Sequence, residues 1–144
     1  RDATGVTPQQ WVEIIEVTIS VASVLRFAQL AGIDSPDFPE PLQGQPTRQT
    51  QPSKPAKHHW VPVVHLEDST PELAPFYNGL PALAPVIRAL SSVPAAMDTL
   101  FTLGDAQYIP MREMVDMNWT RGTLSRRQIE LVAGRLSAHR ECFY

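Results

Sequence analysis

Two residues near the end of this 144-residue sequence could do acid–base and thiol chemistry together. They are Glu130, set between Ile129 and Leu131, and Cys142, the one cysteine. A carboxylate among apolar neighbours can carry protons, and a thiolate is a nucleophile. On one straight helix the twelve-residue spacing would hold them about 18 Å apart, too far to interact. A break between Ala138 and Glu141 would change this. Cys142 would then open a new helix, where the dipole favours a thiolate, and the turned chain could bring Glu130 back towards the sulfur. Taken alone, a single cysteine reads as readily as a small hydrophobe, and a single helical glutamate as part of a solvated face. His139 is a candidate base beside Cys142, or a cation favoured by the last turn of a helix. Tyr144 could tune the thiol or simply pack.

Other residues argue for less. His58, His59 and His65 lack Cys or acidic partners at ligand spacing, so no metal and no cofactor is expected. Asn118-Trp119-Thr120 is a glycosylation sequon with no secretory signal to give it meaning. Met111, Met114 and Met117 have helical spacing and read as core. Arg26 could pair with an acid of another subunit or snorkel.

The elements that must position these groups read as all-α. Thr7-Pro8 caps a helix that runs to Ala31 and stops at Gly32. Its stripe of Trp11, Ile14, Ile15, Thr18, Val21, Ala22, Leu25 and Ala28 is widened by Val12, Val17, Ile19, Val24, Phe27 and Leu30. Such a helix is expected to be buried on most sides, in a bundle or against another subunit. Residues 34–57 hold six prolines and read as an extended linker or wrapping arm. After an extended Trp60–Leu66 segment, helices are expected to open at Ser69–Glu72, between Pro81 and Ala89, from Ser92 and Pro94 to Leu103, and from Pro110 to Asn118. Ser125 with Gln128 is a capping-box pattern opening a last helix with Ile129, Val132, Ala133 and Leu136 on its apolar face. No sheet is expected.

Length and composition bound the function. Apolar residues make up 43% and charged residues 19%, which is globular. Twelve basic against fifteen acidic residues give a net charge of −3, against a nucleic-acid binder. Glu13, Glu16, Ser20, Ser23 and Arg26 interrupt the longest apolar stretch, so no membrane span is expected. One cysteine and no signal peptide point to the cytoplasm and a reduced thiol. Arg in place of Met at residue 1 reads as a trimmed, processed or excised start.

Leu124-Ser125-Arg126-Arg127, then Glu130, then Leu136-Ser137-Ala138, then Glu141-Cys142-Phe143-Tyr144 resemble the signature of the alkylhydroperoxidase D and carboxymuconolactone decarboxylase superfamily. Residues 60–118 resemble the helices leading into that motif, and residues 5–33 the helix that follows it. The resemblance implies an antiparallel helical bundle and a thiol peroxidase whose Cys-x-x-Cys pair begins at Cys142. Glu130 would relay protons through a His and water, and Cys142 would resolve the disulfide. The second, peroxide-attacking cysteine would lie beyond Tyr144. It further implies a hydroperoxide substrate, a thiol or lipoyl-type reductant, and a homo-oligomer, trimeric or hexameric. Because the following helix comes first, the chain reads as part of a tandem protein, with a permuted repeat as the alternative. Residues 1–33 would complete one repeat, 34–57 link, and 58–144 begin the next. A non-redox, decarboxylase-like enzyme and a non-catalytic assembly module are the alternatives, and Cys142 at the motif position favours the peroxidase.

Overall fold

The computed structural model describes residues 5–40, 42–45, 48–77 and 82–142. Helix α1 (Pro8–Ala31) begins and ends where its sequence signals lie. Thr7 and Gln10 form a reciprocal capping box: Thr7 N donates to Gln10 Oε1 at 2.8 Å, and Gln10 N to Thr7 Oγ1 at 3.2 Å. At the other end Gly32 turns into the left-handed region with φ +66, which costs glycine nothing. The amide of Ile33 then closes on Ala28 O.

The expected burial of α1 is not found. Only Val12 and Ala28 are buried, while Ile14, Val17, Phe27 and Leu30 stand exposed. Val12 packs with Val93 and Ala96, flanked by Val61 and Leu90, and this small cluster is too short to cover a 24-residue helix. The expectation that α1 is too interrupted to span a membrane also changes. Its most apolar 18-residue window has a mean hydropathy of 1.6, so by length and composition alone it could cross one.

The proline-rich segment 34–57 forms no helix or strand among its described residues. Its last part is tied down, because Gln51 N donates to Ser92 O and Lys54 forms an isolated bridge with Val63. It is thus a wrapping arm at that end. A 3₁₀ turn (Leu66–Asp68) leads to the one-turn helices α2 (Ala74–Tyr77) and α3 (Pro85–Arg88), then to α4 (Pro94–Gln107). Prolines open α3 and α4, as a residue without an amide proton suits a first turn. Pro81 lies outside the described residues. Ser91 is buried but satisfied: its Oγ accepts from Val64 N and donates to Arg88 O.

The helix expected over Pro110–Asn118 reduces to a 3₁₀ turn, Met111–Glu113. Beyond it Asp116 accepts the amide of Asn118 on Oδ1, the local bonding by which Asp favours turns over helix. Of the three methionines expected in the core, Met111 and Met114 are half-buried and Met117 is exposed. The chain is mostly helical, but not free of sheet. Strands β1 (Thr120–Arg121) and β2 (Leu124–Ser125) pair antiparallel around Gly122, whose φ is +58. Helix α5 (Arg126–His139) follows directly. The chain forms two compact units, Arg1–Leu100 and Phe101–Tyr144.

Candidate functional site

Ser125 caps α5 through the expected box with Gln128. That cap fixes the first turn, in which two adjacent arginines have opposite fates. Arg127 is exposed, whereas Arg126 is 6% exposed. The Arg126 guanidinium donates from Nη2 to Met114 O at 2.9 Å, and from Nη1 to Glu113 O at 3.2 Å and Asp116 O at 3.3 Å. From Nε it donates to Glu130 Oε1, one turn along, at 2.8 Å. The planar fork of Arg suits this spread of acceptors.

The other carboxylate oxygen of Glu130 accepts from the Tyr108 hydroxyl at 2.7 Å. Tyr108 is itself held by Arg121, which donates from Nε and Nη2 to its carbonyl at 3.0 and 2.8 Å. Arg121 also binds Asp105 O and Ala106 O, in the last turn of α4, and lies over the Trp119 ring at 5.3 Å. The hairpin thus exists to deliver one guanidinium to a helix end, and that helix end delivers a phenol to Glu130.

The electrostatics follow from these bonds. The Tyr108 hydrogen bond, helped by the bond and charge of Arg126, holds the Glu130 carboxyl below its ordinary value of 4.5 against partial burial. Burial and then the bond to Glu130 push the Tyr108 phenol up to about 12. At neutral pH the pair is therefore a carboxylate facing a protonated phenol.

The structure does not bring Cys142 to Glu130. Helix α5 does break where expected, but as a Schellman turn. Glu141 takes φ +53, its amide bonds Ala138 O, and Cys142 N bonds Ser137 O at 2.9 Å. Cys142 therefore sits at the C-terminal end of a helix, where the dipole favours cations, and not at an N-terminus. Its amide lies about one turn beyond Ser137, about 15 Å along the axis from Glu130. The Glu130 carboxylate points the other way, towards Arg126. Cys142 is exposed and unpaired. His139 closes the last turn of α5 and is exposed. Tyr144 lies outside the described residues.

Tyr108, Arg121 and Arg126 were not singled out from sequence. For Arg126 a signal existed in its i,i+4 spacing to Glu130; for Tyr108 and Arg121 none did. Arg26 donates to Gln29 of its own helix. No three His, Cys, Asp or Glu side chains among the described residues are grouped to hold a metal. The two clefts described both lie along α1, lined by residues such as Val24, Leu25 and Phe38, or Arg26, Gln29 and Asp34. No family model, no curated protein and no solved structure matches this chain.

Proposed function

We propose that this chain carries the front part of a thiol-dependent hydroperoxide reductase, in the antiparallel bundle that the alkylhydroperoxidase D resemblance implies. The observation that carries the reading is Glu130. It is an ionised carboxylate bonded to a phenol, on the helix whose far end presents an exposed thiol. A second cysteine, downstream of Tyr144, attacks the terminal peroxide oxygen. The O–O bond breaks, the leaving alkoxide takes a proton and departs as alcohol, and the sulfur becomes a sulfenic acid. The Cys142 thiol then condenses with it, forming the disulfide and releasing water. A dithiol or lipoyl-type reductant restores both thiols by exchange.

Glu130 serves as proton acceptor, and the Tyr108 hydroxyl holds the carboxylate in place by its hydrogen bond without giving up its proton. Since α5 holds Glu130 away from Cys142, the proton travels through water or an intervening side chain. In a chain continuing through the second cysteine, Glu130→Gln is expected to cost about 10²-fold or more in turnover, the usual scale of general acid–base catalysis. Unchanged turnover would overturn the role.

The exposed α1 favours a second reading, an assembly module. So many large apolar side chains on one element are unusual for a soluble monomer, and a second copy packed on α1 would cover them. Sedimentation of the chain and of Ile14→Gln/Val17→Gln separates the readings. An oligomer lost in the variant supports assembly, and a wild-type monomer excludes it.

A further inference from the structure

The last part of the proline-rich arm repeats every three residues. Two backbone donors tie it down, and they lie three apart: Gln51 N donates to Ser92 O and Lys54 N to Val63 O, both at 2.9 Å. Ser53 and Ala56, also three apart, are half-buried. Pro52 and Pro55 are exposed, and so are Lys54 and Lys57. In a β-strand, residues three apart point to opposite faces, so none of these pairs could share a side. In a polyproline II helix, with three residues per turn, each pair does. The bridge between Lys54 and Val63 stays isolated, since Pro52, the next position along that edge, has no amide proton to donate. The stretch from Pro52 to Lys57 therefore has three ridges. Ser53 and Ala56 turn towards the unit Arg1–Leu100, and the proline and lysine ridges face outwards.

The chemistry of those two ridges decides what they can bind. Prolines three apart on a polyproline II backbone fit grooves between aromatic rings, and a backbone already held in that form loses little entropy on docking. Among the described residues no backbone amide donates to the carbonyls of Pro52, Ser53 or Pro55, which leaves them for a partner's donors. The Lys54 ammonium is taken by Asp68 Oδ2 at 2.7 Å. Lys57, two residues beyond Pro55, pairs with no carboxylate among the described residues. An unpaired cation at the end of a Pro-x-x-Pro run is complementary to an acidic group at the rim of the groove. The other exposed Pro-x-x-Pro, Pro36 to Pro39, lacks this complement. Asp37 and Glu40 make it acidic, and it lines a cleft with Val21, Val24 and Leu25 of α1.

We propose that Pro52-Ser53-Lys54-Pro55-Ala56-Lys57 is a docking ridge for a partner domain with an aromatic-lined, acid-rimmed groove of the SH3 kind, and that the fold presents it in its bound backbone form. This surface depends on neither the peroxidase reading nor the assembly reading.

The probe is a panel of purified SH3 domains with acidic groove rims, each titrated against the full chain by calorimetry at low and high salt. The expected result is saturable, one-to-one, micromolar binding that salt weakens. Pro52→Ala/Pro55→Ala should weaken it about tenfold or more, and Lys57→Glu about tenfold, as central contacts and complementary charges do. Both prolines are exposed and carry no amide proton, so the arm should stay docked, which hydrogen exchange at the Lys54 and Val63 amides checks. Pro36→Ala/Pro39→Ala should bind as the unmodified chain does. Absence of binding to every domain of the panel overturns the surface. So does affinity unchanged by Lys57→Glu or by Pro52→Ala/Pro55→Ala, or a free peptide of residues 50–58 that binds where the folded chain does not, since the fold would then hide the ridges.

Discussion

Replacing Arg126 by Met is the sharpest perturbation of the unit that carries Glu130. The guanidinium makes contact with three backbone carbonyls and one carboxylate, at 2.8–3.3 Å, while only 6% of it is exposed. Hydrogen bonds involving a charged partner contribute about 1.5–3 kcal/mol each, but the turn carbonyls of Glu113, Met114 and Asp116 can partly rehydrate once freed. The Met stem would also keep much of the packing. A loss of about 3–4 kcal/mol is therefore expected, a large share of the 5–15 kcal/mol typical of a whole domain. The adjacent exposed Arg127→Met should stay within about 0.5 kcal/mol, as surface changes do. The assay is urea denaturation of both variants, paired with hydrogen exchange at the Asp116 and Trp119 amides, which close on Glu113 O and Asp116 O. Protection there should collapse in the Arg126 variant only. Equal destabilisation by the two substitutions, or a loss under about 1 kcal/mol for Arg126, would refute the reasoning.

Further outcomes follow from the same geometry. The Tyr108 phenol is raised, so its contribution to stability is complete below pH 10 and lost as pH climbs towards about 12. A tyrosinate titration should lose its highest-pH component in Tyr108→Phe. Glu130 is held low, so its contribution is complete above its ordinary 4.5 and is lost as pH falls through the lower folded value. Carboxyl NMR should see Glu130 move up towards 4.5 in Tyr108→Phe. Ser125→Ala removes the hydroxyl half of the α5 cap, leaving the backbone bond from Ser125 N to Gln128 Oε1, and should cost about 1 kcal/mol in thermal unfolding. Glu141→Gly relieves a left-handed residue at φ +53, and should stabilise the helix end by up to about 1 kcal/mol in the same measurement.

The helix ends were legible because capping is local. Thr7 before Pro8, Gly32, and Ser125 with Gln128 carry their instructions within four residues, and all three act as read; the Gln10 half of the Thr7 box is added by the structure. The Pro110–Asn118 stretch misled because its methionine spacing suggests a helix, while the chain makes one 3₁₀ turn and then a turn in which the Asp116 side chain bonds Asn118 N. The site was half legible. Glu130 could be named from its apolar neighbours, but its partners arrive through tertiary contacts. Tyr108 stands 22 residues away, placed by an arginine on a hairpin of two-residue strands that alternation cannot reveal. The break before Cys142 was anticipated. Its direction was not, because it depends on Glu141 adopting a conformation usually left to glycine.

The central claim is that Cys142 is one half of a peroxide-reducing pair, and counting peroxide per thiol tests it directly. The 144-residue chain, with one cysteine, should consume at most one equivalent of hydroperoxide and stall as a sulfenic acid or an intermolecular disulfide. A chain continuing through the second cysteine should turn over with a dithiol reductant and stop after one equivalent when Cys142 is serine. Sustained turnover by the one-cysteine chain, or full activity of the serine variant, would contradict the account.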